Sequence, residues 1–253
     1  MCSSDLMLLH SFRQKHISVT GIHRIRGRST VTKTRVLAGT THSPRQQVVR
    51  VDREPETPLE ASVMRNLVIR ARGYVRASDA LLISDYGYGA ATPEIFASIR
   101  SRASLNGIPV TLDSRYRALA YSGVTAATPN ESELEDALRT RIGNDNARLL
   151  VAGRAVMQKM KLQSLLVTRG RDGMVIFSRA HKPVFLPIHG SDQAADVTGA
   201  GDTVIATYTA ALAAGADPES AAKLANYAGG IVVMKRGTAT VSQAELLRAV
   251  MEG

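Results

Sequence analysis

From Pro55 onward, short apolar runs take turns with longer stretches in which apolar residues recur at helical spacing. The runs Ala80–Ser84, Pro109–Leu112, Val124–Ala127, Leu165–Thr168 and Met174–Phe177 predict strands. Helical spacing covers residues 59–76, 93–105, 131–139 and 147–161, and two small-residue helices follow near 200–214 and 218–234. This alternation predicts an α/β domain with a mostly parallel sheet flanked by helices. Upstream the texture differs. Thr30 to Ala38 and Gln46 to Asp52 read as two strands, with Gly39, Ser43 and Pro44 in the turn between them. In the second, Val49 and Val51 alternate with Arg50 and Asp52, the pattern of a sheet with one wet face. Residues 1–29 are polar, basic and irregular, and the pattern assigns them no element. Three zones result: an unassigned basic segment 1–29, a β hairpin 30–53, and an α/β domain 54–253 without a Gly/Ser linker, internal repeat or low-complexity tract.

Composition narrows the class. The chain has 253 residues, of which 44% are hydrophobic and 21% charged, an ordinary balance for a globular protein. Apolar runs such as Ile231-Val232-Val233-Met234 fall far short of the ~20 residues of a membrane span, so no membrane partner is expected. The N-terminus shows no secretory pattern. Cys2 is the single cysteine, which excludes an internal disulfide and a cysteine zinc site and fits a reducing cytoplasm. The six histidines show no metal-ligand spacing. The net charge of +10 is unevenly spread: residues 1–53 hold ten Lys and Arg against two acids, whereas the rest holds twenty-two against twenty. The basic arm suits nucleic acid, a solvated surface, or a patch facing phosphorylated small molecules. No basic run is interleaved with aromatics and Trp is absent, which argues against a nucleic-acid partner.

Chemistry is expected beyond the carboxyl ends of the strands, where open α/β sheets bind ligands. Those ends are Ser84-Asp85-Tyr86-Gly87, Asp113-Ser114, Thr128-Pro129-Asn130 and Thr168-Arg169-Gly170. A further candidate is Asp196-Val197-Thr198-Gly199-Ala200-Gly201-Asp202, which opens a helix. Small residues there let a ligand approach first-turn N–H groups backed by the positive end of the helix dipole, an arrangement suited to a transferring phosphoryl group. Asp202, in the same turn, gains from that dipole and is placed to accept a proton. The alternative is an N-cap at Asp196 or Thr198 and a glycine-containing entry into a buried helix. The heptapeptide is neither a Walker A loop nor a dinucleotide fingerprint. Asn130 and Glu133 have the spacing of oxygen ligands for Mg²⁺ and equally of a capping box. Asp85 either orients a substrate or holds its loop as an Asx turn. Thr168-Arg169-Gly170-Arg171-Asp172-Gly173 reads on its own as a hairpin connection.

Asp196–Asp202 resembles the C-terminal signature D-T-x-G-A-G-D of the ribokinase-like (PfkB) carbohydrate kinases, with Val197 at a frequent Thr position. Leu82-Ile-Ser-Asp-Tyr-Gly-Tyr-Gly, Ala127-Thr-Pro-Asn-Glu-Ser-Glu, Val167-Thr-Arg-Gly-Arg-Asp-Gly-Met and Lys33-Thr-Arg-Val look most like the heptose-7-phosphate kinase branch, the kinase half of the bifunctional ADP-heptose synthesis proteins. The resemblance covers roughly residues 20–250. It implies a ribokinase-like fold with a small β lid at 30–53, and an ATP- and Mg²⁺-dependent phosphoryl transfer to a sugar phosphate. It makes Asp202 the catalytic base and Gly199, Ala200 and Gly201 the anion hole. Asn130 and Glu133 would serve the metal and the nucleotide phosphates. Thr168, Gly170 and Gly173 would form the nucleotide turn, and Asn226 would lie near the adenine. Asp85, Arg115 and Lys33 are the implied substrate-binding residues. Arg115 stands where relatives often have D-P-K, and Arg is not equivalent to Lys as a point charge. The resemblance also suggests a homodimer through the lid. Relatives usually begin with a strand and a G-G motif that grip the sugar, and this chain meets the pattern only near the lid. A kinase domain incomplete at its N-terminus is therefore expected, with an inactive nucleotide-binding or dimerisation fragment, or a kinase for ribose or fructose, as alternatives.

Overall fold

The computed structural model describes residues 3–38, 46–55, 57–190 and 196–252. In chain order the elements are α1 (Ser3–Gln14), β1 (Thr32–Ala38), β2 (Gln46–Arg53), α2 (Ala61–Val75), β3 (Leu81–Asp85), α3 (Pro93–Asn106), β4 (Val110–Ser114), β5 (Ala126–Ala127), α4 (Glu131–Leu138), α5 (Asn146–Met160), β6 (Ser164–Thr168), β7 (Met174–Ser178), β8 (Val184–Leu186), α6 (Ala200–Ala213), α7 (Pro218–Val233) and α8 (Gln243–Glu252). They fall into two units, Met1–Ala71 with Tyr88–Ala90, and Arg72–Gly87 with Ala91–Gly253. The division lies inside α2.

The second unit is built on a six-stranded sheet of order β3-β4-β5-β6-β7-β8. Strands β3 to β6 pair in parallel, and β7 and β8 continue the sheet antiparallel. Leu165, Leu166, Val167, Val175, Ile176 and Phe177 are all buried, so β6 and β7 are apolar on both faces. That is why they read as continuous runs rather than alternating strands. On one face Leu166, Met174 and Ile176 pack with Val204 and Tyr208 of α6 and Ala221, Ala222 and Ala225 of α7. On the other, Phe177 lies against α5, where a Cβ on Gly153 would sit 2.2 Å from its ring. Buried hydroxyls are paired: Tyr208 Oη donates to Ser164 Oγ at 2.7 Å, and Thr111 Oγ1 meets Thr209 Oγ1 at 2.6 Å.

In the first unit β1 and β2 form an antiparallel hairpin with an irregularity between Val36 and Leu37. Register pairs Thr34 with Val51 and Val36 with Val49 on one face, and Lys33 with Asp52 and Arg35 with Arg50 on the other. The alternation of β2 predicts a dry face, yet Val36, Val49 and Val51 are each 46% exposed. The turn residues Gly39, Ser43 and Pro44 lie outside the described residues.

Three elements had no counterpart in the sequence reading. Helix α1 falls in the segment read as irregular; Leu6, Met7 and Leu8 are exposed, and of its described residues only Leu9 is buried, with Phe12 half-buried three residues on, too short a pattern to mark the helix. Strand β8 has three residues between Pro183 and Pro187, too few for a period to show. Helix α8 carried a legible signal: Ser242 and Glu245 form the reciprocal bonds of a capping box, Ser242 N–H to Glu245 Oε2 at 2.8 Å and Glu245 N–H to Ser242 Oγ at 3.3 Å.

Gly153→Ala forces a methyl into the Phe177 ring and should lower unfolding free energy by about 1–3 kcal/mol. Chemical denaturation checks this; an unchanged midpoint would show that the ring has room to move.

Candidate active site

Parallel pairing of β3 to β6 brings their carboxyl ends to one edge of the sheet. There β3 delivers Asp85 and Tyr86, β4 delivers Asp113 to Arg115, and β5 leads into Thr128-Pro129-Asn130. Strand β6 ends at Thr168, whose N–H donates to Pro129 O at 3.0 Å and which bridges to Asn130. The helix α6 begins with Gly199 as N-cap in the left-handed region, φ +81°, a conformation glycine adopts without strain. Helices α4, α5 and α7 start with side-chain acceptors on their first amides, from Asn130, Asp145 and Asp217. The N-cap of α6, a glycine, gives its first amides no side-chain acceptor, and none is found among the described residues, an arrangement open to a ligand. Asp196 braces the approach: Oδ1 accepts Thr198 N–H at 2.9 Å and Oδ2 accepts Gly237 N–H at 3.1 Å.

Asp202 lies in the first turn of α6. Tyr86 Oη donates to its Oδ1 at 2.9 Å, linking the end of β3 to the helix start across 116 residues of sequence. Burial, followed by the charges of Glu133 and Asp202, pushes the Asp113 carboxyl up to about 7. Burial also raises Glu133, against the bonds from Asn130 and the positive charge of Arg115. The Tyr86 phenol is raised by burial and then by Asp202, with Asp113 and Glu133 adding to it. The carboxyls of Glu133 and Asp202 thus act on the buried Asp113 near the start of α6. Among the described residues no group of three or more His, Cys, Asp or Glu is placed to hold a metal ion directly.

Asn130 and Glu133 form the capping box: Asn130 Oδ1 accepts Glu133 N–H at 2.9 Å, and Glu133 Oε2 accepts Asn130 N–H at 2.9 Å. A cavity of about 350 Å³ opens next to the α6 start and brings together Thr168, Gly170, Gly173, Ala200, Gly201 and Asn226. The Thr168–Gly173 segment is both the hairpin connection between β6 and β7 and a wall of this cavity, through a single 3₁₀ turn at Gly170–Asp172. Gly173 is required twice over, by φ +79° and because a Cβ would lie 2.1 Å from Leu186 O. A Cβ on Gly201, by contrast, would meet no atom within 4 Å. Asn226 Nδ2 donates to Pro187 O at 2.7 Å, so its amide also braces the cavity wall. Arg169 ties the two loops by a 2.7 Å bond from Nε to Glu131 Oε1.

The substrate role expected of Asp85 does not match its surroundings. Asp85 is 2% exposed, and its oxygens accept from Gly87 N–H, Arg117 Nη2, Tyr121 Oη and Ser114 Oγ at 2.8–3.3 Å. That uses about the four acceptor sites a carboxylate has. Burial pushes its carboxyl up, but these bonds outweigh it and hold it below the usual range. The loop-holding alternative is the one its geometry describes. Arg115 lies with its guanidinium 5.5 Å from the Tyr116 ring. Lys33 is in the first unit, where its Nζ is 3.6 Å from Asp52 Oδ2 and 5.9 Å from the Tyr88 ring centre. The sequence singles out the strand ends that hold Tyr86 and Asp113 but gives neither residue a role of its own; the Tyr86 contact becomes visible only when β3 and α6 are placed together.

A parallel sheet with an uncapped helix start, an acid in its first turn and a glycine-walled cavity beside it defines an α/β protein of the ribokinase-like fold. The same architecture is found in ribokinase from Giardia lamblia, with TM-score 0.77 and 19% identity over 100% of this chain and 80% of that one. It recurs in Arabidopsis thaliana ribokinase complexed with ribose and ATP, with TM-score 0.71 and 17% identity over 92% and 73%. The model of the pfkB family carbohydrate kinases matches residues 5–245, and the chain belongs to that family. The match therefore starts within α1, earlier than the sequence motifs suggested. The bifunctional protein HldE of Trichlorobacter lovleyi is 38% identical over 96% of this chain and 48% of its own length. That of Geobacter sulfurreducens is 39% identical over 95% and 48%. The chain spans about half the length of the curated relatives it matches.

The raised Asp113 carboxyl makes a pH prediction. Between about 4 and 7 the folded protein holds a proton there that the unfolded chain has lost, so this group costs stability as pH rises through that window. Asp113→Asn removes the cost, and its thermal midpoint should exceed the parent's by several degrees at pH 8, with the gap shrinking towards pH 4. A gap independent of pH would remove Asp113 as the titrating group.

Proposed function

We propose that the chain transfers the γ-phosphoryl group of ATP to a hydroxyl of a sugar phosphate, with heptose 7-phosphate converted to heptose 1,7-bisphosphate. The single observation that carries this is Asp202 in the first turn of an uncapped helix start that borders a 350 Å³ cavity. The relatives named bifunctional protein HldE, together with the resemblance of this chain's motifs to the heptose branch, supply the choice of sugar. In this reading the adenosine part of ATP enters the cavity between the Thr168–Gly173 turn and Asn226. The γ-phosphoryl lies at the amides of Gly199, Ala200 and Gly201. Asp202 takes the proton of the acceptor hydroxyl as that oxygen bonds to phosphorus; the bond to the bridging oxygen breaks and ADP leaves. Arg115 offers a cation to a phosphate group.

The residues present fit a magnesium ion held through its waters, since Mg²⁺ gives these up reluctantly. Asn130 and Glu133 would hold it, and the crowding that raises Asp113 marks a place short of positive charge. When bound, the ion neutralises charge on the phosphates. The use of ATP and the single Cys2 fit a cytoplasmic setting. The exposed apolar face of Val36, Val49 and Val51 suits a second copy of the same hairpin, closing a homodimer.

Coupled measurement of ADP release with a panel of sugars and sugar phosphates tests the activity. Asp202→Asn should lower kcat by about 10²–10⁴, and unchanged turnover would rule it out as the base. ATP binding in calorimetry without turnover on any sugar would reduce the chain to a nucleotide-binding module. For the assembly, Val49→Asp should convert a dimer to a monomer in light scattering; a parent chain that is already monomeric ends that idea.

A further inference from the structure

Asp202 is exposed at the start of α6. A carboxylate there has a broad terminal torsion, and a base is effective only when one oxygen is aimed at the proton it takes. We propose that Tyr86 is a positioning residue for Asp202: its hydroxyl takes up Oδ1 and leaves Oδ2 as the oxygen presented to the acceptor hydroxyl. This rests on the reading of Asp202 as the base.

Three observations carry it. The first is the bond itself, 2.9 Å from Tyr86 Oη to Asp202 Oδ1, joining two elements that meet only in the folded unit. The second is how firmly Tyr86 is mounted. The residue before it is Asp85, buried and held by Arg117, Tyr121, Ser114 and the Gly87 amide. The residue after it is Gly87, held in the left-handed region at φ +83° by that same bond to Asp85. The buried Asp85 network therefore acts on the base at one remove, by fixing the backbone from which the phenol reaches. The third is that the phenol remains a donor. The groups facing it are Asp202, Asp113 and Glu133, all carboxyls, which together with burial push its ionisation up. A tyrosine surrounded in this way keeps its proton and gives a directed bond to the nearest acceptor.

The geometry also suggests what happens on binding. The acceptor hydroxyl donates to Oδ2, and the Tyr86 bond to Oδ1 is retained through the transfer, so the carboxylate does not rotate as it takes the proton. Removing the hydroxyl leaves cavity, cradle and base chemically intact, and the loss falls on kcat rather than on nucleotide binding.

Tyr86→Phe in the full chain is the test, because it keeps the ring and deletes only the hydroxyl. Expected are a fall in kcat of about 10- to 100-fold, an unchanged KM for ATP and an unchanged thermal midpoint. A kcat within twofold of the parent overturns the proposal, and so does a fall matched by a lower thermal midpoint and a weakened KM for ATP, which is the signature of a merely structural role. A second measurement does not depend on turnover. In carboxyl-¹³C NMR at fixed pH, loss of the donor should shift the Asp202 carboxyl resonance; an unmoved resonance shows that Tyr86 does not hold Oδ1 and overturns the proposal by itself. Failure of the kinase reading is a separate result, seen as no sugar-dependent ADP release by the parent chain.

Discussion

Negative charge gathered beside a positive helix end is the interaction on which the site depends. Parallel pairing from β3 to β6 turns four strand ends to one edge, and three of the groups brought near α6 or to that edge are carboxyls: Asp113, Glu133 and Asp202. Burial first, and then the charges of Glu133 and Asp202, raise Asp113 to about 7. The start of α6, whose glycine N-cap carries no side-chain acceptor, offers partial positive charge in the same region.

Around this charged centre the second unit is braced by bonds that bind nothing. The Asp85 carboxylate holds the loop after β3, and Arg169 with Glu131 holds the turn after β6 to the start of α4. The capping box of Asn130 and Glu133 fixes that helix start while leaving both residues at the ligand edge. Close approach of α7 to its neighbours comes from Gly229 and Gly230; a Cβ on the latter would meet His189 O at 2.4 Å. Such contacts fix the backbone that lines the cavity by bonds and close packing rather than by loop length.

The site was unevenly legible. Local conformations could be read directly: the glycine entry into α6, the Asn130–Glu133 capping box and the Thr168–Gly173 hairpin turn each stand together in the chain, and local sequence dictates local conformation. Asp85 was read as one of two things, and the choice depended on Arg117 and Tyr121, more than thirty residues away. Tyr86 and Asp113 stood at marked strand ends, but their partners could not be read locally, since one bonds to a helix 116 residues downstream and the other is altered by carboxyls from two other elements.

By itself the sequence determined the alternation of strands and helices, the parallel sheet, and the heptapeptide that opens α6, because hydrophobic period and glycine placement act over a few residues. It also marked α8 through the Ser242–Glu245 box, and it could not mark β8, which exists only because β7 offers it an edge. What the tertiary structure decided was which side chains share a space. It buried Asp85, left the valine face of the β1–β2 hairpin exposed, and set Tyr86 against Asp202. Those outcomes depend on burial and charge between residues distant in the chain, quantities that no local pattern contains.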